Sequence, residues 1–110
     1  MATSPQFKDF AAEQLSVLGP VTVRSMFGGS GIFHQGVMIA LIAYDTLYLK
    51  VDRENRPDFA AQGMTPFTYE GKEKPVSMSY WQVPDWLYDD PDAMREWAAK
   101  AFEAALRGKR

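Results

Sequence analysis

The sequence predicts one α+β domain over residues 1–110: an antiparallel sheet of about five to six strands, an N-terminal and a C-terminal helix packed on one face, and a short middle helix. Three observations favour this fold class. A chain of 110 residues has room for one core. Hydrophobic residues make up 46% of the chain, which indicates a packed core rather than disorder. Apolar residues recur at helical spacing near both ends and at strand spacing between them.

The first predicted element is a helix near the N-terminus. Thr3, Ser4 and Pro5 form its start signal, because a hydroxyl accepts hydrogen bonds from the first backbone N–H groups and proline fits the first turn. Gly19 and Pro20 form its stop signal. The apolar residues between these signals share one helical face: Phe7, Phe10, Ala11, Leu15 and Leu18.

Four strands are predicted next, since the apolar spacing changes to alternation and β-branched and aromatic residues become frequent. They occupy residues 21–26, 31–34, 37–43 and 46–51. The connections between them are short turns, so neighbouring strands should be antiparallel. Residues 37–43 are apolar throughout, which predicts that this strand is the central one.

A short middle helix and a second hairpin are predicted after these strands. Residues 53–62 form a helical pattern that Gly63 ends, and Pro57 should delay the start of this helix or kink it. Residues 66–69 and 76–83 are rich in β-forming side chains and flank a polar turn. This pattern predicts two paired strands.

The last predicted element is a C-terminal helix with clear boundaries. Asp90 is its cap, Pro91 is its first residue, and Gly108 lies just past its end. An apolar stripe runs along one side of it: Met94, Trp97, Ala98, Ala101, Phe102, Ala105 and Leu106. We therefore expect this helix to pack on the sheet.

The composition restricts the classes of function. The 12 Lys and Arg against 14 Asp and Glu give a net charge of −2, which argues against a broad basic surface for nucleic acid. The absence of Cys excludes disulfides and thiolate metal sites. The N-terminus has no export signal and no apolar run is long enough for a membrane span, so we predict a cytoplasmic location.

A glycine-rich segment invites a phosphate-loop interpretation, but its spacing fails. The dinucleotide-binding pattern needs a third glycine where His34 stands. The Walker pattern needs Lys and then Ser or Thr where Val37 and Met38 stand. The glycines of this region are therefore interpreted as structural turn residues that supply positive φ angles or close backbone approach: Gly28, Gly29, Gly31 and Gly36.

No catalytic or metal site is predicted. The single histidine, His34, cannot build a zinc site without a second His or Cys, and it is interpreted as a partly exposed strand residue. A triad can be assembled on paper from Ser25 or Ser30, His34 and Asp45, but no nucleophile-elbow sequence supports it. Helix capping accounts for a group of acidic residues: Asp85, Asp89, Asp90 and Asp92. The protein is therefore predicted not to be an enzyme and to hold no cofactor or metal.

An aromatic pair suggests a binding surface. Tyr80 and Trp81 are adjacent in a predicted strand, so their side chains point to opposite faces and one can lie on the face that lacks helices. Tyr and Trp are enriched where proteins bind each other. The residues predicted to form an interaction surface are Arg24, Phe27, Lys50, Tyr80 and Trp81.

Further motifs resemble those of a known family. The first group of matching residues runs from Met26 to Val51: Met26, Phe27, Gly28, Gly29, Ser30, Gly31, Gly36, Val37, Met38, Leu47, Tyr48, Leu49, Lys50 and Val51. The second group follows at similar spacing: Phe59, Gly63, Pro66, Phe67, Tyr69, Met78, Tyr80, Trp81 and Pro84. With these motifs the chain resembles the N-terminal domain of the TfoX/Sxy competence-regulator family over nearly its whole length.

This resemblance implies an α+β domain of helices and an antiparallel sheet. It also implies a role in switching on natural-competence genes, which full-length members perform together with the cyclic-AMP receptor protein. Full-length members carry a second, C-terminal domain, and the chain is predicted to be a stand-alone first domain. The family supplies no catalytic residues to carry over.

The leading functional hypothesis is a non-catalytic, transcription-related module that contacts another protein, such as a transcription factor or polymerase component. The alternative is a small-molecule-binding or enzymatic domain with a pocket between the sheet and the middle helix. Direct DNA binding is a third hypothesis, which the net charge disfavours. A homodimer is left open, and no membrane partner is predicted.

Overall fold

The computed structural model describes residues 3–26 and 29–109. These residues form three α-helices, which are α1 (Pro5–Leu15), α2 (Arg56–Ala61) and α3 (Pro91–Gly108). They also form six strands, which are β1 (Thr22–Met26), β2 (Gly29–His34), β3 (Val37–Ala43), β4 (Thr46–Lys50), β5 (Pro66–Glu70) and β6 (Pro75–Gln82). A 3₁₀ helix at Asp85–Asp89, which the sequence analysis did not predict, connects β6 to α3.

The six strands form one sheet in the order β1-β2-β3-β4-β6-β5, and every neighbouring pair is antiparallel. The predicted fold class is therefore confirmed. β3 lies inside the sheet, and its last five residues are buried. Ile39, Ala40 and Ile42 are buried on one side of the sheet, and Leu41 and Ala43 are buried among neighbouring strand residues on the other, which explains why the sequence of β3 is apolar throughout.

All three helices pack on the same face of the sheet. The main hydrophobic cluster joins Leu15 of α1, Phe59 of α2 and Met94 of α3 to strand residues such as Ile42 and Leu49. In the part of the chain that the structure describes, the second cluster of buried residues contains strand residues alone: Leu41, Ala43, Phe67 and Tyr80. We call the sheet surface that carries this second cluster the open face.

The helix boundaries follow the predicted signals with small differences. The Ser4 hydroxyl accepts a hydrogen bond from the Phe7 N–H at 3.1 Å, as a helix cap does. α1 ends at Leu15, four residues before the predicted stop signal at Gly19. Leu18 lies in the turn that follows α1 and still packs against the main core. Asp90 caps α3 by accepting from the Ala93 N–H at 3.0 Å. Gly108 is the last residue of α3 rather than the residue beyond it.

Smaller differences concern the middle of the chain. α2 begins at Arg56, so Pro57 delays its start, which is one of the two predicted outcomes. β2 begins at Gly29, two residues earlier than predicted.

Within residues 3–26 and 29–109, no helix combines the length and the apolar character that crossing a membrane would require.

A bulge interrupts the pairing of β2 with β3. Ile32 pairs with Ala40, but the next residue, Phe33, pairs with Met38, so Ile39 has no partner in β2. Ile39 and Ala40 are both fully buried in the main cluster. The bulge therefore places two consecutive side chains of β3 on the helix side.

Candidate interaction surface and adjacent groove

Most strand residues whose side chains lie on the open face are apolar or aromatic. Cross-strand partners share a face of a sheet, so the register shows which side chains lie on this one. Tyr48 pairs with Gln82, Leu41 with Tyr48, and Val76 with Tyr69. The apolar side chains of the open face are Phe33, Met38, Leu41, Ala43, Tyr48, Phe67, Tyr69, Val76, Met78 and Tyr80.

Contacts between aromatic rings hold the side chains of the open face in place. The ring of Phe67 lies 5.2 Å from that of Tyr48, edge to face, and 6.4 Å from that of Tyr69 in a stacked arrangement. Burial raises the pKa of the Tyr80 phenol. Tyr69 and Val76 remain 47% and 36% exposed. The solvent-accessible apolar area thus extends toward the β5–β6 hairpin.

Two cationic side chains lie over aromatic rings of the open face. The Arg24 guanidinium carbon is 5.3 Å from the Phe33 ring centre, and the Lys50 ammonium nitrogen is 5.1 Å from the Tyr80 ring centre. Among the strand residues that the structure describes, Glu70 is the only acidic one, and strand alternation points it to the helix side. The charge on the open face is therefore positive, although the whole chain is negative.

The structure brings some of the predicted surface residues together and separates others. Arg24, Lys50 and Tyr80 share the open face. Trp81 pairs with Leu49 and packs half-buried against the main core on the helix side, so the prediction that it joins the same surface is wrong. Strand alternation required one of the adjacent aromatic residues to take that side. Phe27 and Gly28 lie outside the described residues.

The glycines of the predicted turn have different roles. Gly29 and Gly31 lie in β2 rather than in a turn, and Gly31 is the first residue of the strand predicted over residues 31–34. A Cβ at Gly31 would lie 3.1 Å from the Met38 methyl carbon and 3.2 Å from the Phe33 ring. A larger residue would therefore require the Met38 and Phe33 side chains, which close over the strand here, to shift. Gly36 lies in the β2–β3 turn with φ +78°, a conformation that favours glycine.

An open groove lies beside this surface, where β4 and β6 meet the start of α2 and the end of α3. Its volume is about 640 Å³, within the range of small-molecule sites. Among the residues that line it are Trp81 and Pro66, which supply apolar walls, and Ser77 and Ser79, which supply hydroxyls. This position agrees with the pocket that the alternative hypothesis requires.

The loop from β4 to α2 shapes the charged side of the groove. Asn55 is buried in this loop, where its side chain donates to the Lys50 carbonyl at 3.0 Å and accepts from the Asp52 N–H at 2.8 Å. The Asp52 carboxylate also accepts from the Glu54 N–H at 2.9 Å. These bonds fix the short path from Lys50 to Arg56, so that both side chains line the groove.

Arg107 of α3 is neutralised by acidic partners. Its Nε is 2.6 Å from Asp52 Oδ2, its Nη2 donates to Asp52 Oδ1 at 3.0 Å, and its Nε lies 3.2 Å from Glu54. Hydrogen bonds from the guanidinium lower the pKa of the Asp52 carboxyl from 3.8 to about 2. Lys50 and Arg56 make no ion pair within the described part of the chain, so their charges stay available in the groove.

The Asp52–Arg107 pair should make stability depend on acid pH. The carboxyl binds its proton less readily in the folded state, so its contribution is present above about pH 4 and is lost as the pH falls toward about 2. We expect urea unfolding at pH 6 and at pH 3 to show this loss, and Arg107→Gln to reduce the difference. An equal difference in Arg107→Gln and in the exposed control Arg53→Gln would contradict it.

His34 has a structural role. It is only 6% exposed, so the prediction of partial exposure is wrong. Its Nδ1 donates to the Pro20 carbonyl at 2.8 Å, and its ring packs on Phe102 with centres 4.9 Å apart.

The Ser, His and Asp triad considered in the sequence is not assembled. His34 pairs with the first residue of β3, whereas Asp45 follows the opposite end of that strand. In residues 3–26 and 29–109, no group of three His, Asp or Glu side chains could hold a metal ion.

Comparisons with known proteins agree with this architecture. The family model of the TfoX N-terminal domain matches residues 13–105. The DNA transformation protein TfoX1 of Aliivibrio fischeri (strain ATCC 700601 / ES114) is 28% identical over 86 residues, which are 78% of this chain and 41% of that protein. The chain thus spans about two fifths of the length of this curated relative. Since the family match covers most of the residues that build the sheet and helices, the chain belongs to the TfoX N-terminal domain family.

Proposed function

We propose that this domain is a non-catalytic, transcription-related interaction module whose open face binds an acidic segment of a partner protein. The observation that carries the proposal is the open face itself. It is a helix-free sheet surface, apolar in its centre, with cationic groups at Arg24 and Lys50. Tyr69 and Val76 at its border are exposed, and exposed apolar side chains beside cationic groups are typical of protein-binding surfaces.

The chemistry of the surface defines its partner. Aromatic side chains supply contact area at low entropic loss, and partly exposed Tyr69 and Val76 are accessible for it. The positive charges of Arg24 and Lys50 would attract carboxylates of a partner protein. This attraction acts over a distance and would also increase the rate of association. A second copy of this chain would bring like charges together across the same face, so a partner with Asp or Glu beside apolar side chains fits better.

Family membership suggests the setting of this contact. The relative TfoX1 is described as a DNA transformation protein, and the family relates to competence regulators. We therefore propose that the contact is made in the cytoplasm, with a transcription factor or polymerase component that controls competence genes. The broad basic surface that unaided DNA binding needs is not favoured by the net charge of −2.

Affinity purification from native cells followed by mass spectrometry tests this proposal. The tagged wild-type protein is compared with a double variant, Arg24→Glu with Tyr69→Ser, and with the matched charge reversal Arg53→Glu in the exposed β4–α2 loop. We expect wild type and Arg53→Glu to recover a transcription factor or polymerase subunit that the folded double variant loses. Equal recovery by all three proteins would assign the contact to another surface.

A second candidate function rests on a separate observation. The groove between the sheet and α2 has the volume of a small-molecule site and contains two cationic side chains without acidic partners in the described residues. Lys50 lies at the border of the groove and the open face. Variants of Arg24 and Tyr69 therefore separate the two functions better than variants of Lys50 do.

A further inference from the structure

The charged lining of the groove is not balanced. Three cationic residues and one acidic residue line it, namely Lys50, Arg56, Arg107 and Asp52. Arg107 and Asp52 are joined by two hydrogen bonds and neutralise each other. Lys50 donates to the neutral Ser79 hydroxyl at 2.6 Å, and the Arg56 side chain is exposed. Lys50 and Arg56 are therefore the two lining cations without an ion pair in the described part of the chain, and with Glu54 3.2 Å from Arg107 the cluster keeps a net charge of +1 to attract an anion.

Neutral groups of the groove suit the rest of a ligand. The hydroxyls of Ser77 and Ser79 can donate to anionic oxygens. Trp81 and Pro66 offer flat apolar surfaces, and the pairing of Trp81 with Leu49 anchors that ring in the sheet. Sites of this kind combine apolar walls with a few well-placed polar groups.

We infer that this groove binds a small phosphorylated molecule, with its phosphate at Lys50 and Arg56 and its apolar part against Trp81 and Pro66. A phosphate monoester carries a charge of about −1.5 to −2 at neutral pH, which matches two cations. Its oxygens accept several hydrogen bonds at once, so the serine hydroxyls can add to the contact. The established family membership assigns no ligand to this position.

A free small molecule fits the groove better than a nucleic-acid backbone. A backbone presents successive phosphates and requires a row of cations along its path. Here the Asp52 and Glu54 carboxylates, which contact Arg107, belong to the short segment between Lys50 and Arg56. A row of phosphates would meet these carboxylates, whereas one phosphate group does not need to reach them.

Titration of phenyl phosphate into ¹⁵N-labelled protein, followed by NMR, tests the inference. We expect shifts of the backbone signals of Lys50, Arg56 and Ser79 and of the Trp81 indole N–H, with weaker binding of inorganic phosphate. Arg56→Gln should weaken the binding of phenyl phosphate about tenfold, since one charge-assisted contact is lost. The control Arg53→Gln, which keeps Arg56, should bind as wild type does.

Several outcomes would overturn the inference. One is that phenol shifts the same signals as strongly as phenyl phosphate, and another is that Arg56→Gln binds as wild type does. A short DNA duplex that binds these residues more tightly than phenyl phosphate would assign the groove to nucleic acid. The double variant of Arg24 and Tyr69 should retain binding of phenyl phosphate, so the result is independent of the protein contact proposed above.

Discussion

Replacing Trp97 by Ala is expected to lower the free energy of unfolding by roughly 3 to 5 kcal/mol, toward the lower end because the indole is only half-buried. Trp97 lies where three elements meet. Its ring is 4.7 Å from that of Phe59 in α2 and 5.9 Å from that of Trp86 in the 3₁₀ helix, both edge to face. Removing it would eliminate the aromatic contacts of α3 with both neighbours. Urea unfolding followed by circular dichroism measures the change.

Glu103→Ala is the matched control for this substitution. Glu103 is exposed on the same helix, so its truncation should change the free energy of unfolding by less than about 0.5 kcal/mol. If Trp97→Ala were as stable as this control, α3 would not be docked through its indole ring. The main cluster would then be held by the alanines and Met94 of the same helix.

Ala101→Leu is expected to destabilise the protein by about 1 to 3 kcal/mol, because the larger side chain overpacks the core. Ala98 and Ala101 are fully buried where α3 crosses β3 and β4. Small side chains at these positions let the helix backbone approach the sheet closely. The additional carbons of leucine have no space there unless the helix moves away.

Ala99→Leu adds the same volume to the same helix at a partly exposed position. It should be nearly neutral, since leucine is a good helix former and the side chain can extend into solvent. The comparison of the two unfolding midpoints therefore reports the packing distance between α3 and the sheet. Equal midpoints would mean that the helix packs loosely over β3.

Local signals made most of the fold predictable. Asp90 with Pro91 marked the start of α3, and the uniformly apolar 37–43 run marked β3 as interior. Both depend on short-range physical chemistry, which a sequence displays directly. The end of α1 was less predictable, because Leu18 fits the helical spacing but reaches the core from a turn. Tertiary packing decided that boundary.

The candidate site was only partly predictable. Alternation showed that Tyr80 and Trp81 lie on opposite faces, but only the pairing of Trp81 with Leu49 decides which one packs toward the helices. The groove depends on residues from five elements that lie apart in the chain, namely β4, α2, β5, β6 and α3. No local sequence signal would have indicated it, because the burial of the Asn55 side chain and its hydrogen bonds to the Lys50 carbonyl and the Asp52 N–H arise only in the folded loop.

The bulge at Ile39 gives β3 a tolerance to change in length. Before and after the bulge, successive side chains of β3 alternate between the two faces of the sheet, and Met38 and Leu41 both lie on the open face. Deleting Ile39 would restore regular pairing and leave every other side chain on its present side, with the loss of one buried residue. Deleting a residue elsewhere in the strand would turn all that follows to the wrong side. Codon loss at this position is therefore a mutation that the sheet can accommodate.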